Sequence, residues 1–134
     1  VNASGAVGLG AAIKYIQEVG IENITNHDNN LASYLIDGMK SIPYVNILGS
    51  PDSNKHCGIV TFTIDGVHPH DIASILDTEH VAIRAGHHCA QPLGAYIEVP
   101  ATARASLYFY NTKEEIDTFI SKVSQIRGWM GYGN

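Results

Sequence analysis

No basic cluster occurs anywhere in this sequence: eight Lys and Arg are scattered among thirteen Asp and Glu, giving a net charge of −5 and a pI near 5.7. Such a chain is a poor partner for polyanions, so no nucleic acid and no anionic membrane surface are expected. Long apolar runs are missing too. No segment approaches the roughly eighteen consecutive apolar residues of a membrane span, and the amino terminus lacks the charged region and cleavage site of a signal peptide, so the expected compartment is the cytoplasm. Only two cysteines occur, Cys57 and Cys89. Two thiols make no disulfide framework in a chain of this kind, and both are read as free. Internal repeats and low-complexity tracts are absent. So is an initiating methionine: the chain opens VNASGAVGLG, already close to a helix pattern, and reads as a piece of something longer.

What is present suffices for one domain. The 134 residues are 45% hydrophobic, enough for a core of ordinary size. From Ala6 to Val19, Leu9, Ala12, Ile13, Ile16 and Val19 recur at helical spacing, and Gly20 stands where a left-handed cap is wanted. Gly5, Gly8 and Gly10 weaken that helix, which suggests close packing against another element, within this chain or outside it. A second helix is expected from about Thr25, with Asp28 in its first turn and Leu31, Leu35, Met39 and Ile42 inward, ending at Pro43. Tyr44 to Leu48 is a strand candidate, followed by the turn-rich GSPDSNK. Gly58 to Asp65 alternates cleanly, with Val60, Phe62 and Ile64 on one face. The next helix runs from Pro69 to Thr78 and buries Ile72, Ile75 and Leu76, with His68 and His70 read as a solvated helix start. Val81 to Ala85 and Thr102 to Tyr110 are further strands. The first sets Arg84 opposite its apolar face. The second does the same with Arg104 against Ala103, Ala105, Leu107 and Phe109. A last helix opens at Asn111 or Thr112 with Glu114 or Glu115 in a capping box, buries Ile116, Phe119, Ile120 and Val123, and frays in RGWMGYGN. The pattern indicates a two-layer α/β (α+β) sandwich, a small mixed or antiparallel sheet covered by helices on one face.

Between the last two strands runs a connection of about sixteen residues, Gly86 to Ala101, far longer than a hairpin loop. It holds Gly86, His87, His88 and Cys89 in succession and is punctuated by Pro92, Gly94 and Pro100. Thiolate is the reactive form of cysteine and a neighbouring cation favours it, so Cys89 in a His-rich loop is a candidate nucleophile. The competing reading is a small buried apolar residue. His56-Cys57 and His87-His88-Cys89 invite a metal, but structural zinc sites space their paired ligands two to four residues apart, and no metal is expected. Arg104, with Arg84, is a candidate reader of a carboxylate, since a guanidinium fork pairs with it bidentately. The alternative is a surface arginine in a weak ion pair.

RAGHHCAQPL (84–93) and TARASLYFYNTKEEID (102–117), with DGVHPHDIASILD (65–77) and GAVGLGAAI (5–13), resemble the C-terminal region of group II cysteine desulfurases. That family includes selenocysteine lyases and sits within the class V aminotransferases. The resemblance implies the small C-terminal domain of a fold type I, homodimeric enzyme using pyridoxal phosphate. It also implies that Cys89 takes sulfur from L-cysteine as a persulfide, releasing L-alanine, and passes it to an acceptor protein of iron–sulfur cluster assembly. By the same resemblance Arg104 holds the substrate carboxylate, Arg84 matches the signature arginine, and Gly86, His87 and His88 support the loop. His87 and His88 are placed to favour a thiolate. The family's cofactor lysine and phosphate-binding residues lie N-terminal to the matching region, so no cofactor-binding residue is expected in residues 1–134 and the piece alone is expected to be inactive. Gly94 stands where the family commonly has methionine, implying a looser loop, and the loop is expected to be pliant or disordered without the large domain. A different class of function remains beside this one: a non-catalytic sulfur-relay or interaction domain using Cys89 only as a carrier.

Overall fold

The computed structural model describes residues 2–50 and 52–132. Val1, Pro51 of the turn-rich stretch, and Gly133 and Asn134 of the C-terminal segment lie outside the described residues. Helix α1 (Ala3–Val19) starts where the Asn2 side chain accepts a hydrogen bond from the Gly5 amide at 2.9 Å, satisfying one of the free donors of the first turn. It runs for 17 residues without burying one, leaving Val7 75% and Leu9 63% exposed. A Cβ placed on Gly8 or Gly10 would meet nothing within 4 Å, so within the described residues nothing approaches those glycines.

Helix α2 (Ile21–Lys40) begins four residues before the expected Thr25. The reason is Gly20, whose φ of 88° and ψ of 121° redirect the chain within a single residue, so that it closes α1 and caps α2 together. Its φ is positive as expected, but its ψ is extended rather than helical. Thr25 is an interior residue whose hydroxyl donates to the Ile21 carbonyl at 2.8 Å. Leu31, Leu35 and Met39 are buried as the spacing requires, joined by Ile24, Ala32 and Ile36, and Ile42 is buried just beyond the helix end.

Four strands, β1 (Val45–Leu48), β2 (Ile59–Ile64), β3 (Arg84–Gly86) and β4 (Thr102–Ser106), form one antiparallel sheet in the order β1-β2-β4-β3. Val60, Phe62, Ile64, Ala103 and Ala105 supply its apolar face. Against that face lie α2, α3 (Pro69–Thr78) and α5 (Lys113–Trp129), with the Phe62 and Phe119 rings edge to face at 6.0 Å. The architecture is the expected two-layer α+β sandwich with an all-antiparallel sheet.

Helix α3 keeps its predicted ends, with Pro69 in the first turn. Beyond the expectation, His68 is its cap: the ring Nδ1 accepts from the His70 amide at 3.3 Å and the two rings stack. Helix α5 carries the capping box in its Glu115 form, with Thr112 as cap. It continues through Gly128 to Trp129, where fraying was expected, because Ile126 is buried and Met130 packs on the core.

Both strands around the long connection are shorter than their alternation suggested. Of the expected Val81–Ala85 strand, only Arg84 and Ala85 pair, together with Gly86, because β3 is an edge strand with a single neighbour. Strand β4 ends at Ser106; the Leu107 amide then donates to the Gly58 carbonyl, and the Asn111 side chain accepts from the Tyr108 amide at 2.9 Å, turning the chain into α5. No helix among the described residues is long and apolar enough to cross a membrane.

Candidate functional site

The site is built on the sheet face turned away from the core. Alternation fixes which side chains share it: Leu48, Thr61, Arg104 and Arg84 are successive register partners in one row across all four strands. Arg84 and Arg104 face each other directly, and no carboxylate pairs with either among the described residues. The Arg104 Nε is buried without a hydrogen-bond partner. Two like charges set opposite one another destabilise a strand pair, and a buried orphan donor adds to that; an anion bound there would offset both. The weak-ion-pair alternative for Arg104 does not hold.

The row lies about 7 Å, two residues, inside the end of the sheet where Gly86 pairs with Thr102. From that end the connection departs, and it is not the structureless loop that its length suggested. The Ala90 amide bonds the His87 carbonyl at 2.9 Å, closing a turn, and helix α4 (Gln91–Tyr96) follows with Pro92 in its first turn. Its C-terminus is a Schellman closure: Glu98 is left-handed at φ 58°, its amide bonds the Ala95 carbonyl, and the Val99 amide bonds the Gly94 carbonyl at 2.9 Å. Gly94 suits this closure: a Cβ on it would stand 2.9 Å from the Val99 carbonyl oxygen. Glu98→Gly is expected to remove the left-handed cost and raise stability by roughly 1 kcal/mol, read from the urea midpoint.

Cys89 stands at the turn between β3 and α4. It is a free thiol and exposed, which excludes the buried-apolar reading. His88 and Cys89 are successive left-handed residues, φ 53° and 60°, entered from Gly86 at φ 127°. For non-glycine residues that conformation costs about 1–2 kcal/mol each, so the turn persists only because its surroundings hold it. One of the restraints is the His88 ring, whose Nε2 lies 3.1 Å from the Thr102 carbonyl oxygen. A carbonyl only accepts, so Nε2 carries the proton, and Nδ1 is left buried without a partner.

Burial pushes the His88 imidazole below its ordinary range. The Arg104 and Arg84 guanidiniums and His87 act in the same direction, while the Thr102 contact opposes them. A neutral ring offers no positive charge to a thiolate, and the contact the His88 ring makes is with the Thr102 carbonyl. His87, by contrast, is exposed. Because the folded-state value lies beneath the unfolded one, the stabilisation from neutral His88 is complete above about pH 6.5 and is lost as the pH falls below it through the folded value. The gap in thermal midpoint between wild type and His88→Gln, which keeps a donor but does not titrate, is expected to narrow or reverse between pH 7.5 and 5.5.

A recess of about 390 Å³ separates the connection from the sheet, with Leu48 and Thr61 on one side and His88, Leu93, Ile97 and Val99 on the other. Thr61 belongs to both the recess and the arginine row. Sequence reasoning passed over it, and over Thr102: the alternation marked their face, but their neighbours depend on a pairing between segments some forty residues apart. Cys57 is exposed before β2 and takes no part. No group of three metal-ligating side chains forms among the described residues. None of the five lysines lines the recess: Lys14 pairs with Glu18, Lys40 with Asp37 and Lys122 with Glu79, and Lys113 lies over the Tyr34 ring. With no amine on its walls, this donor set does not fit pyridoxal phosphate.

The sheet carries helices on one face and, on the other, a row with two arginines that no carboxylate pairs among the described residues; the exposed Cys89 thiol follows the end of its edge strand. Residues 1–119 match the family described as aminotransferase class-V, and the chain belongs to it. It is 44% identical over 129 residues to a protein from Halalkalibacterium halodurans named probable cysteine desulfurase, covering 96% of this chain and 31% of that one. Among solved structures it is similar to an apo cysteine desulfurase from Thermococcus onnurineus NA1, with a TM-score of 0.90 and 37% identity, over 95% of this chain and 32% of that one. It is also similar to an S-sulfonic acid form of a cysteine desulfurase from Escherichia coli, with a TM-score of 0.87 and 31% identity, over 96% and 31% of the two chains. The chain thus spans about a third of the length of the relatives it matches.

Proposed function

We propose that this chain is the small C-terminal domain of a group II cysteine desulfurase and that Cys89 is the residue on which the sulfur is collected. The observation that carries the reading is the exposed thiol held at a left-handed turn, at the end of a sheet whose arginine row has no carboxylate partner among the described residues. In the net reaction the Cys89 sulfur bonds to the sulfur of L-cysteine while the substrate's carbon–sulfur bond breaks. The electron pair of that bond stays with carbon, which takes a proton to become L-alanine, and Cys89 is left as a persulfide. Arg104 holds the substrate carboxylate through its fork, and Arg84 adds charge beside it. Gly86, His87 and His88 form the support from which the thiol is presented.

The whole enzyme is homodimeric and cytoplasmic, binds pyridoxal phosphate through residues outside this chain, and hands its sulfur to an acceptor protein serving iron–sulfur assembly. Exposure of Cys89 fits the hand-over, because a thiol that loads at one place and unloads at another must be reachable from solvent. The test is mass spectrometry of the full-length enzyme after incubation with L-cysteine. One added sulfur atom on the peptide containing Cys89 is expected. Sulfur on Cys57, or on no residue, would overturn the assignment.

A further inference from the structure

We propose that His88 is a positioning residue: its ring ties the start of the connection to its end and so sets where the Cys89 thiol is presented. The inference rests on the desulfurase reading for its kinetic consequence, although the tie itself belongs to the chain's own geometry. The connection leaves the sheet at Gly86 and returns at Thr102, where the two residues pair across β3 and β4. Two residues beyond that pairing the backbone turns left-handed at His88 and stays so at Cys89. At this step the His88 Nε2–H donates to the Thr102 carbonyl, 14 residues away in sequence, closing the neck of the connection a second time.

The thiol is attached to the residue after the tie. With the tie removed, the two left-handed residues are held by the Ala90–His87 backbone hydrogen bond that spans them and by no side-chain hydrogen bond of their own among the described residues, so other conformations open to both. The sulfur then spreads over many positions instead of one.

The two neighbouring histidines are thereby separated in role. His87 is exposed, whereas the His88 ring is half-buried with one nitrogen bonded and the other enclosed. A ring enclosed in that way is a strut, not a proton shuttle, because a proton gained at Nδ1 would have no acceptor. The charged and titratable groups acting on it are Arg104 on β4, Arg84 on β3 and His87 beside it.

The experiment uses the full-length enzyme in a Cys57→Ser background, with His88→Ala and His88→Gln as variants. Two quantities are read: steady-state sulfur transfer, and the rate at which iodoacetamide alkylates Cys89, followed on its own peptide. His88→Ala is expected to lower kcat by about tenfold or more, since a reacting atom displaced by an ångström forfeits rate on that scale, while KM for L-cysteine stays within about twofold. His88→Gln, which restores a donor at the same reach, is expected to recover kcat to within about threefold of wild type. The alkylation rate should depart from wild type in the alanine variant and return in the glutamine variant.

Equal damage in both variants, or wild-type kcat and alkylation in His88→Ala, would overturn the tie. So would a rise in KM with kcat intact. Failure of the desulfurase reading looks different: alkylation would still follow the identity of residue 88, but L-cysteine would add no sulfur to Cys89.

Discussion

Cys89→Ala in the full-length enzyme is expected to abolish sulfur transfer from L-cysteine to a protein acceptor, lowering the rate at least about 10³-fold, with cofactor binding unchanged. The size follows from the chemistry. The covalent route divides the transfer into loading and unloading, both through one sulfur atom, and alanine leaves no atom to carry the persulfide. Serine fares little better, because an alkoxide is scarcely populated near neutral pH whereas a thiol is partly ionised. Cofactor binding is expected to be kept because none of the five lysines lines the recess. Fold stability is expected to be kept, since the Cys89 side chain is exposed and fills no cavity. Transfer from L-cysteine, measured as acceptor-bound sulfur, checks the result; wild-type transfer in the alanine variant would remove Cys89 from the mechanism. Cys57→Ser supplies the control, with unchanged transfer.

Arg104→Lys is expected to lower kcat/KM for L-cysteine by about 10- to 100-fold, and Arg104→Ala by about 10²- to 10⁴-fold, chiefly through KM. A charge-assisted hydrogen bond contributes about 1.5–3 kcal/mol, and each 1.4 kcal/mol is a factor of ten; lysine keeps the charge but gives up the fork, whereas alanine gives up both. The effect falls on KM because the carboxylate takes no part in bond breaking and is held alike before and during the reaction. A second readout moves the opposite way. Without ligand, Arg104 faces Arg84 across the strands and keeps a buried donor unpaired. Arg104→Ala should therefore raise the unfolding free energy of the ligand-free protein by several tenths of a kcal/mol, as expected of a residue retained for binding at the expense of stability. Unchanged kinetics in Arg104→Lys would show that the fork is not used.

Where local chemistry decides an element, the sequence was enough. Pro69 and Asp71 mark the start of α3, Thr112 and Glu115 that of α5, and the alternation of Val60, Phe62 and Ile64 fixes the buried face of β2. Where two demands meet in one residue, or the decisive contact is distant, it was not. Gly20 ends one helix and begins the next, which hid the true start of α2. Helix α4 is six residues long, contains Pro92 and Gly94, and closes with a left-handed Glu98 that no propensity favours. The strands stop where their neighbours stop pairing, so β3 and β4 are shorter than their own patterns.

The site divides in the same way. Cys89, Arg84 and Arg104 stand out by residue type and by the motif around them. That the two arginines face each other, with Thr61 in their row, depends on a strand order that alternation does not encode. How His88 supports the loop was not legible, because its burial and its bond to Thr102 exist only once the connection has closed.

Helix α1 has a consequence of its own. With every side chain outside the hydrophobic interior, its amides are protected by little beyond their own hydrogen bonds, and isolated helices of this length are marginal in water. In the 134-residue chain its backbone should exchange with deuterium within seconds, long before α2 or α5, and a mass-spectrometric time course would show that gradient along the polypeptide.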